Sequence, residues 1–166
     1  MRKALFILGE LKDTDVLWLS RTGVQRGVAT GETLITQGRA VSDLFFVIEG
    51  SFAVTTLRGQ VATLSLGDVI GEMSFVEKRL PAARVTASEP SRVLAVQRDV
   101  ILAAFATDAA FAARFYRALA VFLSDRLRGA NGEADNAELD EAILDTIHQA
   151  GDRFVRLLAL LEGRES

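Results

Sequence analysis

From residue 24 to residue 96 the chain is cut into short runs rich in β-branched and aromatic residues, each bounded by Gly, Asp or Ser. Eight such runs follow one another, at 24–30, 33–36, 44–48, 51–56, 61–64, 69–70, 83–87 and 92–96. Strands this short at this spacing predict an antiparallel sandwich or barrel. The connections carry the matching chemistry. Gly31-Glu32, Gly38-Arg39, Glu49-Gly50, Arg58-Gly59 and Gly67-Asp68 each put a residue able to take positive φ between two apolar runs. The expected architecture is therefore mainly β plus α: an eight-stranded antiparallel β-roll, jelly-roll-like, with an N-terminal helix and C-terminal helices.

The flanks are helical by a different period. Asp13-Thr14-Asp15 precedes Val16, Leu17, Trp18 and Leu19, a capped short helix ending near Gly23, with Trp18 in the core. Residues 98–105 and 108–127 repeat apolar positions every three or four, with Phe111, Phe115, Leu119, Phe122, Leu123 and Leu127 making an amphipathic helical pattern. Residues 129–136 form a polar, Gly-containing break and a last helix is expected over 137–161. The expected organisation is a domain over 1–128, a linker over 129–136 and an amphipathic helix within 137–166.

Composition excludes several classes of function. A chain of 166 residues, 49% hydrophobic and 25% charged, suits one folded core with a short appendage. A net charge of −3 offers no basic field for a phosphate backbone, so nucleic acid is not an expected partner. There is no cysteine, hence no disulfide framework, thiolate metal site or thiol nucleophile, which fits a cytoplasmic protein. The apolar residues 4–8 are interrupted at once by Gly9-Glu10 and Lys12-Asp13, too short for a secretory signal. No membrane span is expected. His148 is the only histidine, so metal clusters and Ser-His-Asp catalysis lack their parts, and it is expected on the surface of the last helix. No catalytic constellation emerges, and the chain is read as non-enzymatic.

Leu66-Gly67-Asp68-Val69-Ile70-Gly71-Glu72-Met73-Ser74-Phe75 resembles the entry to the phosphate-binding cassette of cyclic-nucleotide-binding domains. That family includes catabolite-activator-type regulators, regulatory subunits of cAMP-dependent kinase and cyclic-nucleotide-gated channels. Gly31-Glu32, Leu44-Phe45-Phe46-Val47, Glu49-Gly50 and the strands of 85–96 add matches, so that the similarity covers roughly residues 5–128. The resemblance implies a ligand, cAMP or cGMP, held by Gly71, Glu72, Met73, Ser74, Ala82, Ala83 and Arg84. Backbone N–H groups of the 71–74 turn would hold the cyclic phosphate, since a helix N-terminus offers unpaired donors to an anion. By resemblance the Glu72 carboxylate accepts the ribose 2′-hydroxyl; a helix cap is the plainer reading of the same residue.

The pattern also departs from the family. Its usual cassette has an Arg after a Pro to neutralise the phosphate, then small residues and a Thr or Ser before a Val. Counted from Gly71, that Arg falls on Pro81 and that Thr or Ser on Arg84, with Val85 matching the Val. Strand alternation sets Ala82, Arg84 and Thr86 on one face. Arg84 then either replaces the missing cation or pairs with Glu72 and closes an empty pocket. The same departure keeps a second function open: a degenerate domain that binds no nucleotide and works by protein–protein contact.

Two further readings concern the helices. The cluster Phe105, Phe111, Phe115 and Phe122 is read as core in preference to a ligand lid. Leu139, Ile143, Ile147, Ala150, Phe154, Leu157 and Leu161 form a near-heptad seam, read as the contact of a homodimer in preference to a face packed on its own roll. The family's DNA-binding members continue into a winged helix-turn-helix, which needs more chain than the single helix following Arg128.

Overall fold

The computed structural model describes residues 9–130 and 141–163. Its strands are β1 (Val24–Val28), β2 (Thr33–Ile35), β3 (Asp43–Glu49), β4 (Ser51–Thr56), β5 (Gly59–Ser65), β6 (Val69–Ile70), β7 (Arg84–Ala87) and β8 (Ser91–Gln97). The helices are α1 (Asp13–Thr22), α2 (Glu72–Val76), α3 (Arg98–Thr107), α4 (Ala109–Ala130) and α5 (Glu141–Glu162). The eight expected strands are all present, and every pairing is antiparallel.

The described residues form two compact units, one of 22–102 and one of 9–21 with 103–130 and 141–163. The first is the β-roll. Its strands make two four-stranded sheets, in the orders β1-β8-β3-β6 and β2-β7-β4-β5. Val28, Phe45, Val47, Ile70 and Val93 from one sheet meet Ile35, Phe52, Leu64, Val85 and Ala87 from the other in a single buried cluster. Each fully buried aliphatic or aromatic side chain of this kind is worth about 1.5–3 kcal/mol. In β3, residues 44–48 are buried without alternation, which explains its continuous apolar run.

The strand limits differ from expectation where side chains take over backbone groups. β1 stops at Val28 because the Ala29 N–H turns to the Glu32 carboxylate at 3.0 Å and the Gly31 N–H to Ala87 O at 2.8 Å. β5 begins at Gly59, paired with Thr56 in a tight hairpin, two residues before its apolar run. At the β3–β4 corner Gly50 has φ 93°, and a Cβ there would collide with Ser91. Ser91 Oγ fills that space, accepting the Ser51 N–H at 3.2 Å and donating to Glu89 O at 2.8 Å.

The second unit is helical. Asp15 sits in the first turn of α1 and its Oδ2 accepts the Lys12 N–H at 2.8 Å, so the expected cap is present, with Asp13 already inside the helix. Phe105, Phe111, Phe115 and Tyr116 form a chain of ring contacts with centroids 5.1–5.8 Å apart, and Trp18 meets Phe111 edge-on at 5.3 Å. Phe111, Phe115 and Phe122 are buried core, whereas Phe105 and the expected core residue Trp18 are half-buried and Tyr116 is exposed, at the cluster's edge.

Leu157 and Leu161 of α5 are buried within the chain as well. Arg153 Nη1 donates to Gly9 O at 2.9 Å, and Arg153 and Arg156 lie 3.2 and 3.4 Å from the Asp13 carboxylate. One boundary moves: α4 continues through Gly129 and Ala130, two residues into the expected linker. One glycine at a helix end costs only about 1 kcal/mol relative to alanine, too little to stop a helix with a buried face. The rest of that linker, the start of the expected last helix and the side chain of His148 lie outside the described residues.

Candidate functional site

The cassette begins where β6 gives way to α2. Gly71 has φ 92°, and a Cβ on it would stand 3.1 Å from Asp43 O and 3.5 Å from Val41 Cγ1. Both the left-handed backbone and the close approach require glycine here. The turn redirects the chain so that Glu72, the first residue of α2, is buried at 4% exposure. Met73 is exposed at 67% and Ser74 half-buried, with Ser74 Oγ 3.3 Å from Arg79 O across the following loop.

Phe75 N–H reaches Gly71 O at 3.0 Å and Glu77 N–H reaches Met73 O at 2.9 Å, whereas the N–H groups of Met73 and Ser74 precede the first α-helical acceptor. Arg98, the first residue of α3, meets the other end of α2: its Nη2 is 3.5 Å from Phe75 O and its guanidinium carbon 6.0 Å from the centre of the Phe75 ring.

The second half of the cassette returns along β7. Pro81 O accepts the Gly38 N–H at 2.9 Å. Ala82 is exposed, Ala83 half-buried and Arg84 exposed. Arg84 pairs across the sheet with Thr55, while its neighbours in sequence alternate with it: Val85 and Ala87 are in the core. Arg84 forms no ion pair with any described residue, Glu72 included. A groove of about 390 Å³ borders Ala82, with Gln37, Thr56, Leu57, Arg58 and Val61 as its other walls.

Two parts of this surroundings escaped the sequence reading. The groove walls come from the β4–β5 hairpin and Gln37 just after β2, which only the fold brings beside Ala82; the signal was Leu57, an apolar residue next to the Arg58-Gly59 turn. Arg98 had a signal too, because a cation at the first position of a helix opposes the helix dipole and asks for a partner elsewhere. Among the described residues no group of three or more His, Cys, Asp or Glu could hold a metal, and no helix is long and apolar enough to cross a membrane.

A β-roll with a Gly-Glu turn leading into a short helix defines a class of binding domain, and comparison with known proteins identifies it. Residues 25–108 match the family model described as the cyclic nucleotide-binding domain. The chain belongs to that family. The fold resembles a cyclic nucleotide-binding domain from Methylobacillus flagellatus, at TM-score 0.71 and 20% identity over 83% of this chain and 85% of that one. It also resembles the Thermus thermophilus catabolite activator protein, at TM-score 0.61 and 24% identity over 93% and 85% of the two chains. In sequence it is 38% identical over 79 residues to the Pycsar effector protein PaPycTIR of Pseudomonas aeruginosa. That match takes in 47% of this chain and 26% of the relative, so the chain spans about a quarter of the length of the curated protein it matches.

Proposed function

We propose that the chain is a non-enzymatic regulatory module that binds a cyclic nucleotide, cAMP or cGMP, through Gly71, Glu72, Met73, Ser74, Ala82, Ala83 and Arg84, and signals by rearrangement of its helices. The observation that carries this is Glu72: a carboxylate at 4% exposure, set by a glycine-only turn at the position where the family holds the ribose. The first-turn amides of Met73 and Ser74 suit the single negative charge of a cyclic phosphate. Likeness to part of a protein named an effector supports an occupancy signal that is passed on to another domain or partner.

Calorimetry of the full chain with cAMP and with cGMP tests the reading. Heat with either nucleotide, abolished by Glu72→Ala, supports it; no heat up to millimolar ligand overturns it. A second reading has its own support, since Pro81 stands where the phosphate-binding Arg is usual and Arg84 is exposed on the face of β7 opposite Val85. In that case the module binds no nucleotide and acts through protein contacts.

The organisation proposed with it is a binding domain over 1–128, joined by a linker to a C-terminal helix that makes a homodimer, in the cytoplasm, without nucleic-acid or membrane partners. At the described end of the seam Leu157 and Leu161 are buried within the chain and Phe154 is half-buried, while Val155, beside the seam and 66% exposed, is offered as the point of contact with a second copy.

A further inference from the structure

We infer that Arg98 is a positioning residue for the cassette: from the first residue of α3 its guanidinium holds the C-terminal end of α2, and through it the backbone of residues 71–76. The inference rests on the cassette reading for its purpose and on geometry for its content. Arg98 is fixed at its base, its N–H donating to Ser42 O at 2.9 Å. Its side chain then lies over Phe75, 3% exposed, with Nη2 3.5 Å from the Phe75 carbonyl.

Nothing in its own surroundings explains a cation there. No described carboxylate forms an ion pair with it, its Nε is buried without a hydrogen-bond partner, and its charge stands at the unfavourable end of α3. An apolar side chain would pack on Phe75 without those penalties. What only the guanidinium supplies is a positive charge and a donor at the last carbonyls of α2. A five-residue helix cannot sustain itself and takes its order from such outside contacts.

The test uses the full chain with Arg98→Met, which keeps the packing on Phe75, and Arg98→Lys, which keeps the charge. Hydrogen exchange is followed without ligand at the amides of Phe75 and Glu77, with Val47 and Val93 of the roll as internal reference. Arg98→Met is expected to speed exchange at Phe75 and Glu77 about tenfold while Val47 and Val93 hold, with Arg98→Lys in between. Equal exchange in wild type and variant, or an equal rise at all four amides, overturns the inference. Should Arg98→Met fail to fold, the comparison of Arg98→Lys with wild type at the same amides decides.

Affinity is the second readout. If wild type binds cAMP or cGMP, Arg98→Met is expected to weaken it about tenfold; unchanged affinity overturns the positioning role. If wild type binds neither, the cassette reading fails on its own, and the exchange contrast alone decides whether Arg98 orders α2.

Discussion

Asp15 receives both arms of the Arg114 guanidinium, Nε on Oδ2 at 2.8 Å and Nη2 on Oδ1 at 2.9 Å. The Asp15 side chain is 7% exposed and that of Arg114 22%, so the fork joins α1 to α4 away from bulk water. Removing one partner strands the other charge. Arg114→Met is expected to lower stability by about 2–4 kcal/mol, read from urea unfolding. Asp15→Asn should cost a similar amount, and the double variant less than the sum of the two, because the pair acts as a unit.

The same pair predicts an acid limb of stability. Burial by itself would raise the Asp15 pKa, but hydrogen bonds from Arg114 and the Lys12 amide, with the Arg114 charge, outweigh it and hold the carboxyl below its ordinary value. Arg114 moves up in turn, chiefly through its hydrogen bonds to Asp15. A group depressed in the folded state stabilises above its unfolded pKa. That contribution should be complete above about pH 4 and fade as pH falls further. Thermal melts from pH 6 to pH 3 should therefore decline less steeply in Asp15→Asn than in wild type.

Gly71→Ala is expected to be disruptive out of proportion to one methyl group. The residue would need φ near 92° with its Cβ 3.1 Å from Asp43 O. The strain is worth about 1–3 kcal/mol. Melting temperature should fall, and nucleotide binding should fall with it, since the turn sets the direction of the Glu72–Ser74 amides.

Glu72 can be tested by chemistry on either side of the contact. Glu72→Gln keeps the shape and removes the charge of a side chain 4% exposed, and should weaken binding of the ribonucleotide about tenfold to a hundredfold. A 2′-deoxy cyclic nucleotide should bind wild type with a comparable loss and should lose little more in the variant. Calorimetry of the four combinations reads the coupling directly.

For the dimer, sedimentation velocity of the full chain and of Val155→Glu is the measurement. Val155 is 66% exposed, so the substitution does not disturb the chain's own core. A dimer in wild type and a monomer in the variant is the expected outcome; two monomers, or two dimers, remove α5 as the contact.

Most of the roll was legible because its rule is local. Apolar runs and turn glycines need only neighbours in sequence, and they mark eight strands without any knowledge of long-range pairing. The limits of β1 and β5 were not, because a Glu32 side chain and a two-residue hairpin decided them. In the cassette, Gly71 and Glu72 were readable from one string. Arg84 was readable as a departure and, by strand alternation, as facing away from Val85, but its place beside Thr55 is set by long-range pairing. The contact of Arg98 with Phe75 spans 23 positions, and no local pattern encodes it.

The sheet order imposes a timetable on synthesis. β1 pairs only with β8, so Val28 meets Ser91, 63 positions later, and Val24 waits for Ala95. A nascent chain that has emerged only as far as β7 holds β1 without its pairing partner. Folding dominated by such distant pairs is slow compared with helical domains. On the ribosome the first strand to be made therefore waits for the last before it can enter a sheet.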